Sequence, residues 1–73
     1  MTKMYEQVVL VRPLHLDFTG AVMVPGVQAV VVDLIDDDVV LLEFDLEAPE
    51  LAGGKRFEST IATIHDFVPV SSQ

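Results

Sequence analysis

The side chains capable of chemistry fall in a few short stretches. His15 and Asp17 stand two apart, an imidazole and a carboxylate that together suggest a metal ligand pair or an acid–base pair. A metal centre needs several convergent ligands, and the chain has two histidines and no cysteine to complete one. His15 therefore reads as a solvated loop histidine. Asp36-Asp37-Asp38 offers hard oxygen ligands of the kind calcium takes. The acids are consecutive where a calcium loop alternates them, and the mid-loop glycine and distal bidentate glutamate are missing. Three aspartates in a row read instead as a turn, since the short carboxylate bonds nearby backbone and tolerates left-handed φ. Gly53-Gly54-Lys55 lacks both the upstream glycine and the following Ser or Thr of a phosphate-binding loop. Ser59, Thr60, His65 and Asp66 hold a hydroxyl, a base and a carboxylate, but they run along the sequence and do not converge. No catalytic residue, metal or cofactor is expected, and the chain is not expected to be an enzyme.

The elements that would position any site are strands. Residues 30–46 form two apolar arms, 30–35 and 39–46, hinged on the three aspartates, which predicts a β-hairpin. The second arm alternates, with Val40, Leu42, Phe44 and Leu46 on one face and Val39, Leu41, Glu43 and Asp45 on the other. The first arm sets Val30, Val32 and Leu34 against Val31, Asp33 and Ile35. With the more apolar faces turned in, Val31, Asp33, Ile35, Val39, Leu41, Glu43 and Asp45 are left outward as a protein-interaction surface. The predicted core is Val8 or Val9, Leu10, Val30, Val32, Leu34, Val40, Leu42, Phe44, Phe57, Ile61 and Phe67.

Around this hairpin, residues 5–12 predict a first strand that Pro13 ends, and residues 14–20 a loop. Residues 21–24 form a short strand before the Pro25-Gly26 turn. Pro49, Glu50 and the following glycines punctuate one helical turn within residues 47–55. Residues 56–63 alternate again, with Phe57, Ser59, Ile61 and Thr63 sharing a face. Lys55 and Arg56 should lie opposite the acidic arm as cross-strand partners. Ile64-His65-Asp66 predicts a tight turn of 3₁₀ type, and residues 67–70 a last short strand in which Pro69 requires an edge. Residues 1–4 and 71–73 read as loose ends.

At 73 residues the chain is one domain, residues 1–73, too small to hold both a core and a deep cleft. Twelve acids stand against four bases, and eight of the acids lie between residues 33 and 50, where there is no Lys or Arg. A net charge of −8 repels phosphate backbones, so nucleic-acid binding is not expected. Hydrophobic residues make up 51% of the chain, yet no apolar run approaches the ~20 residues of a membrane span. Lys3, Glu6 and Arg12 fence in a short apolar run that does not make a signal peptide. No membrane partner is expected, and the cytoplasm is the expected compartment. The apolar excess is expected to be covered by a protein partner or, in a homo-oligomer, by a second copy.

Three segments carry a likeness to a known family. Gly26-Val27-Gln28-Ala29-Val30-Val31-Val32-Asp33-Leu34 resembles that family's Gly-x-x-Gly-Thr-Val-Val-Glu-Val motif. Leu42-Glu43-Phe44 resembles its Val-Glu-Phe, and Asp66-Phe67-Val68-Pro69-Val70 its closing Asp-Leu-x-Pro-Val. The family is that of short bacterial SH3-like barrels that form a domain of unknown function. Ala29 replaces the motif's second glycine, and residues 47–55 are longer than the family's turn. The resemblance implies an all-β fold, a small five-stranded SH3-like antiparallel barrel with one 3₁₀ turn near the C-terminus. The resemblance carries no function of its own; with catalysis not expected, the apolar and acidic surface leads to a non-catalytic interaction or accessory domain of a bacterial assembly. The alternative is a small acidic immunity protein or antitoxin that inhibits a basic effector enzyme.

Overall fold

The computed structural model describes residues 2–72 and is all-β. Its strands are β1 (Gln7–Leu10), β2 (Leu14–His15), β3 (Val22–Met23), β4 (Gln28–Leu34), β5 (Val39–Glu47), β6 (Lys55–Thr63) and β7 (Phe67–Pro69). Five of them form an antiparallel sheet in the order β6-β5-β4-β1-β7, and β2 pairs with β3 in a separate small hairpin. Both β6 and β7 are edges. Among the described residues no helix is long and apolar enough to cross a membrane.

The central hairpin forms as its alternation demands. Ile35 and Asp36 both donate their N–H to the Val39 carbonyl, and Asp36 Oδ1 accepts the Asp37 N–H at 2.7 Å, so aspartate chemistry closes the turn. On β5, Val40, Leu42 and Phe44 are buried as expected. On β4 the phase differs. Val31 is fully buried and pairs with Leu42, while Val30 faces outward beside Glu43. Pairing of Val8 with Ala29 on the other flank imposes this phase, because Val8 is itself a core residue. A β-bulge between Val31 and Asp33 then resets the pairing, so Asp33 meets Leu41 and Leu34 meets Val40. Val31 is therefore a core residue and not part of an exposed surface. Val30 and Val32 are half-buried, and Leu34 is exposed at the strand end.

Strand β6 corrects a second expectation. Glu58, Thr60 and Ala62 point inward, and Phe57 and Ile61 point out, 60% and 48% exposed. The cause is register: Phe57 pairs with Asp45 and Ile61 with Leu41, and both partners belong to the outer face of β5. The core consists of Val8, Leu10, Leu16, Ala29, Val31, Val40, Leu42, Phe44, Ala62 and Phe67. Leu16 lies within residues 14–20, a stretch whose sequence predicts a loop. It is buried because the β2–β3 hairpin, closed by Leu16 N–H to the Ala21 carbonyl at 2.8 Å, folds back over the sheet, where Phe18 and Thr19 N–H bond Glu58 Oε2 of β6.

Residues 47–55 contain no helix. Leu51 N–H bonds the Ala48 carbonyl and Gly54 N–H the Leu51 carbonyl, two successive turns completed by Gly53 and Gly54 at φ +88° and +72°. A helix would need each N–H to bond the carbonyl four residues back, whereas these two bond carbonyls three residues back, and the two left-handed glycines then reverse the chain. The first strand is shorter than expected because Tyr5 adopts φ +62°. Residues 64–66 form a hydrogen-bonded turn, and the 3₁₀ turn lies further on, at Val70–Ser72. Of the expected loose ends, Met1 and Gln73 lie outside the described residues, while Met4 and Tyr5 make a turn.

Candidate interaction face

The outer face of the β4–β5–β6 sheet gathers Val30, Val39, Leu41, Phe57 and Ile61. Each is exposed or half-buried, and the register sets Leu41 opposite Ile61, Val39 opposite Thr63, Val30 opposite Glu43 and Phe57 opposite Asp45. Glu43 and Asp45 stand within this row on β5, and Asp33 flanks it. Gln7, Gln28, Val30, Glu43 and Asp45 border a shallow depression of about 200 Å³ on this face. Two carboxylates and two carboxamides around an apolar floor suit the aliphatic stem and charged head of a lysine or arginine.

Of the residues expected to face outward, Asp33, Val39, Leu41, Glu43 and Asp45 share this face. Ile35 lies just past β4, half exposed, beside a wider open depression of about 610 Å³ bordered by Thr2, Leu34, Asp36 and Asp37. Val31 leaves the set for the core. Sequence reasoning missed Val30, Phe57 and Ile61. A signal for the last two did exist: once Leu41 is taken as outward, a hairpin closed over residues 48–54 brings Ile61 and Phe57 to the same side.

The one described ion pair on this face, Lys55 Nζ to Asp45 Oδ2 at 3.8 Å, joins side chains more than half exposed. Its worth is about 0–1 kcal/mol. Arg56 does not join the acids; it turns to the inner side and sits 5.4 Å from the centre of the Phe18 ring.

The remaining chemical candidates resolve into structural roles. Glu58 Oε2 accepts the N–H groups of Phe18 at 3.0 Å and Thr19 at 3.3 Å, and Asp17 Oδ2 accepts the Thr60 hydroxyl at 3.3 Å. These bonds latch the β2–β3 loop to the inner side of β6. Burial alone raises the Glu58 carboxyl, but the Thr19 hydroxyl, the two N–H donors and the Arg56 charge outweigh it and hold the group below its ordinary value. Its Oε1 is buried without a partner among the described residues. Asp66 Oδ2 accepts from the Thr63 N–H and hydroxyl, which engages the carboxylate nearest His65 in a turn. Among the described residues no three His, Cys, Asp or Glu side chains stand where they could hold a metal ion. Compared with known proteins, the chain matches no family model, no curated protein and no solved structure.

Proposed function

We propose that this chain is a non-catalytic protein-interaction domain that docks a protein partner through the outer face of β4, β5 and β6. The observation that carries this reading is one sheet face that gathers half-buried Val30 and Leu41 with exposed Ile61 and Phe57, the Leu41–Ile61 pair at its centre and Glu43 and Asp45 set among them. Exposed apolar residues scattered singly are ordinary, but several gathered on one sheet face mark an interface. Carboxylates beside an apolar centre favour a partner that offers lysine or arginine around its own apolar patch. The net charge of −8 argues against a phosphate backbone and for such a basic protein surface. An accessory domain and an acidic inhibitor of a basic effector would both use this face, with the cytoplasm as the proposed setting.

We propose further that the sheet follows the plan of an SH3-like barrel. The middle three strands form a meander and the first and last lie side by side, the strand order of such a barrel opened along β6.

The experiment is affinity capture from extracts of the source organism, with the native chain and with Val30→Glu and Leu41→Glu as baits. A specific protein retained by the native chain and lost from both folded variants is the expected result, followed by a binding isotherm on the purified pair. Equal retention by all three baits would sink the proposal.

A further inference from the structure

We propose that the free edge of β6 is a self-association site, at which two copies of this chain pair antiparallel about a two-fold axis through Ser59. This goes beyond the partner face: it concerns the backbone edge, and its occupant is a second copy.

The edge can be read from hydrogen-bond phase. Ala48 N–H bonds the Gly54 carbonyl and Ile64 N–H the Asp38 carbonyl, at the two ends of the β5–β6 ladder. In an antiparallel ladder the mutually bonded pairs recur at every second residue. The bonded pairs between those ends are therefore Val40–Ala62, Leu42–Thr60, Phe44–Glu58 and Leu46–Arg56. All other β6 residues aim their N–H and C=O away from β5. Thr63 agrees, since its N–H goes to Asp66 Oδ2 and its carbonyl accepts the Asp66 N–H. Phe57, Ser59 and Ile61 aim theirs the same way, and among the described residues no partner meets them.

Of the usual protections of an edge strand, β6 has Lys55 at one end and the inward-pointing Glu58, whose carboxylate is engaged by the loop at residues 17–19, but it lacks the others. β6 is nine residues long, pairs with β5 without a bulge, and contains no proline. The opposite edge, β7, is three residues long, contains Pro69 and ends in a 3₁₀ turn. One edge of the sheet is closed off and the other is open.

The occupant follows from the symmetry of the strand. A two-fold axis at Ser59 sets Phe57 of one copy opposite Ile61 of the other, twice, on the outer face, with the small serines meeting at the centre. Phe57, Ser59 and Ile61 would each exchange both backbone bonds with the facing copy, roughly six in all. Aromatic against β-branched is a favourable cross-strand pairing. Lys55 of each copy falls opposite Thr63 of the other, beside the Asp66 carboxylate that Thr63 holds. The like charges of the two Lys55 side chains are thereby kept at opposite ends of the ladder. Such a ladder would join the two outer faces into one continuous sheet surface.

Sedimentation equilibrium and amide exchange test this on the native chain. A monomer–dimer equilibrium is expected, with exchange at Phe57, Ser59 and Ile61 slowing several-fold as protein concentration rises. Ser59→Pro removes the central donor without touching the β5 ladder, a place where an edge strand tolerates proline. This variant is expected to be a β-rich monomer. Val30→Glu, two strands from the edge, should keep the dimer even where it abolishes partner capture, so the two proposals fail separately. A native chain that stays monomeric at high micromolar concentration overturns the inference. So does a dimer in which those three amides exchange at a rate independent of concentration, whatever the folding of Ser59→Pro.

Discussion

Two buried residues on facing strands show how differently a side chain can hold this fold. Phe44 is 1% exposed and supplies the largest fully buried side chain. Truncating it to alanine should cost ~3–5 kcal/mol. A domain of this length has on the order of 4–10 kcal/mol in all. Phe44→Ala is therefore expected to lose most or all of its cooperative urea transition. Its neighbour across the ladder, Glu58, works through polarity. Because its carboxyl lies lower when folded than its ordinary value of 4.5, the ionised form contributes stability that is fully present above that value. That contribution is lost as pH falls through the folded value. Thermal melts from neutral to acid pH should thus show an acid-side loss in the native chain that is blunted in Glu58→Gln. Parallel acid limbs for the two proteins would mean that Glu58 is not what ties the loop down.

At the scale of elements, the legible and the illegible parts of the sequence separate cleanly. Strand β5 was legible because Glu43 and Asp45 interrupt its apolar residues at period two, leaving a single sensible face for burial. The first arm, with valine at positions 30, 31 and 32, fits either phase equally. What decides it is Val8, paired with Ala29 from a strand much earlier in the chain, together with a bulge that no local pattern announces. Strand β6 misled for a different reason. Its more apolar face is Phe57 and Ile61, yet the inner face is needed for the Glu58 and Thr60 bonds to the loop at residues 17–19. The candidate face inherited both errors: its β5 row was foreseen, and its β4 and β6 rows were not. The β5–β6 connection is a more local matter. Gly53 at φ +88° sits where an alanine would be strained by about 1–2 kcal/mol. In a domain of this size that corresponds to a melting temperature lowered by ~4–16 °C. Gly53→Ala is expected to fall in that range while keeping a β spectrum, and an unchanged Tm would mean that the turn has another accessible geometry.

For the whole molecule, charge and apolar surface pull in opposite directions, and their balance can be read from salt. Two copies of a −8 chain repel each other over a range set by the Debye length, ~10 Å at 0.1 M salt. What draws them together at β6 is backbone pairing and the Phe57–Ile61 contacts, which salt does not screen. The Lys55 attraction toward Asp66 is screened, but one such pair at each end is small against the full repulsion. Dimerisation should therefore tighten as ionic strength rises, a trend that sedimentation in low and high salt reads directly. A basic partner docked on the outer face, as proposed, would behave the other way. Its attraction to Glu43, Asp45 and the acids around them is strongest at low salt, and both its association rate and its affinity should fall as salt is added. Opposite salt trends for self-association and partner binding are expected from the same preparation. If dimerisation weakens with salt, the contact between copies is an ion-pair interface, and the apolar ladder at β6 is not what holds the two copies together.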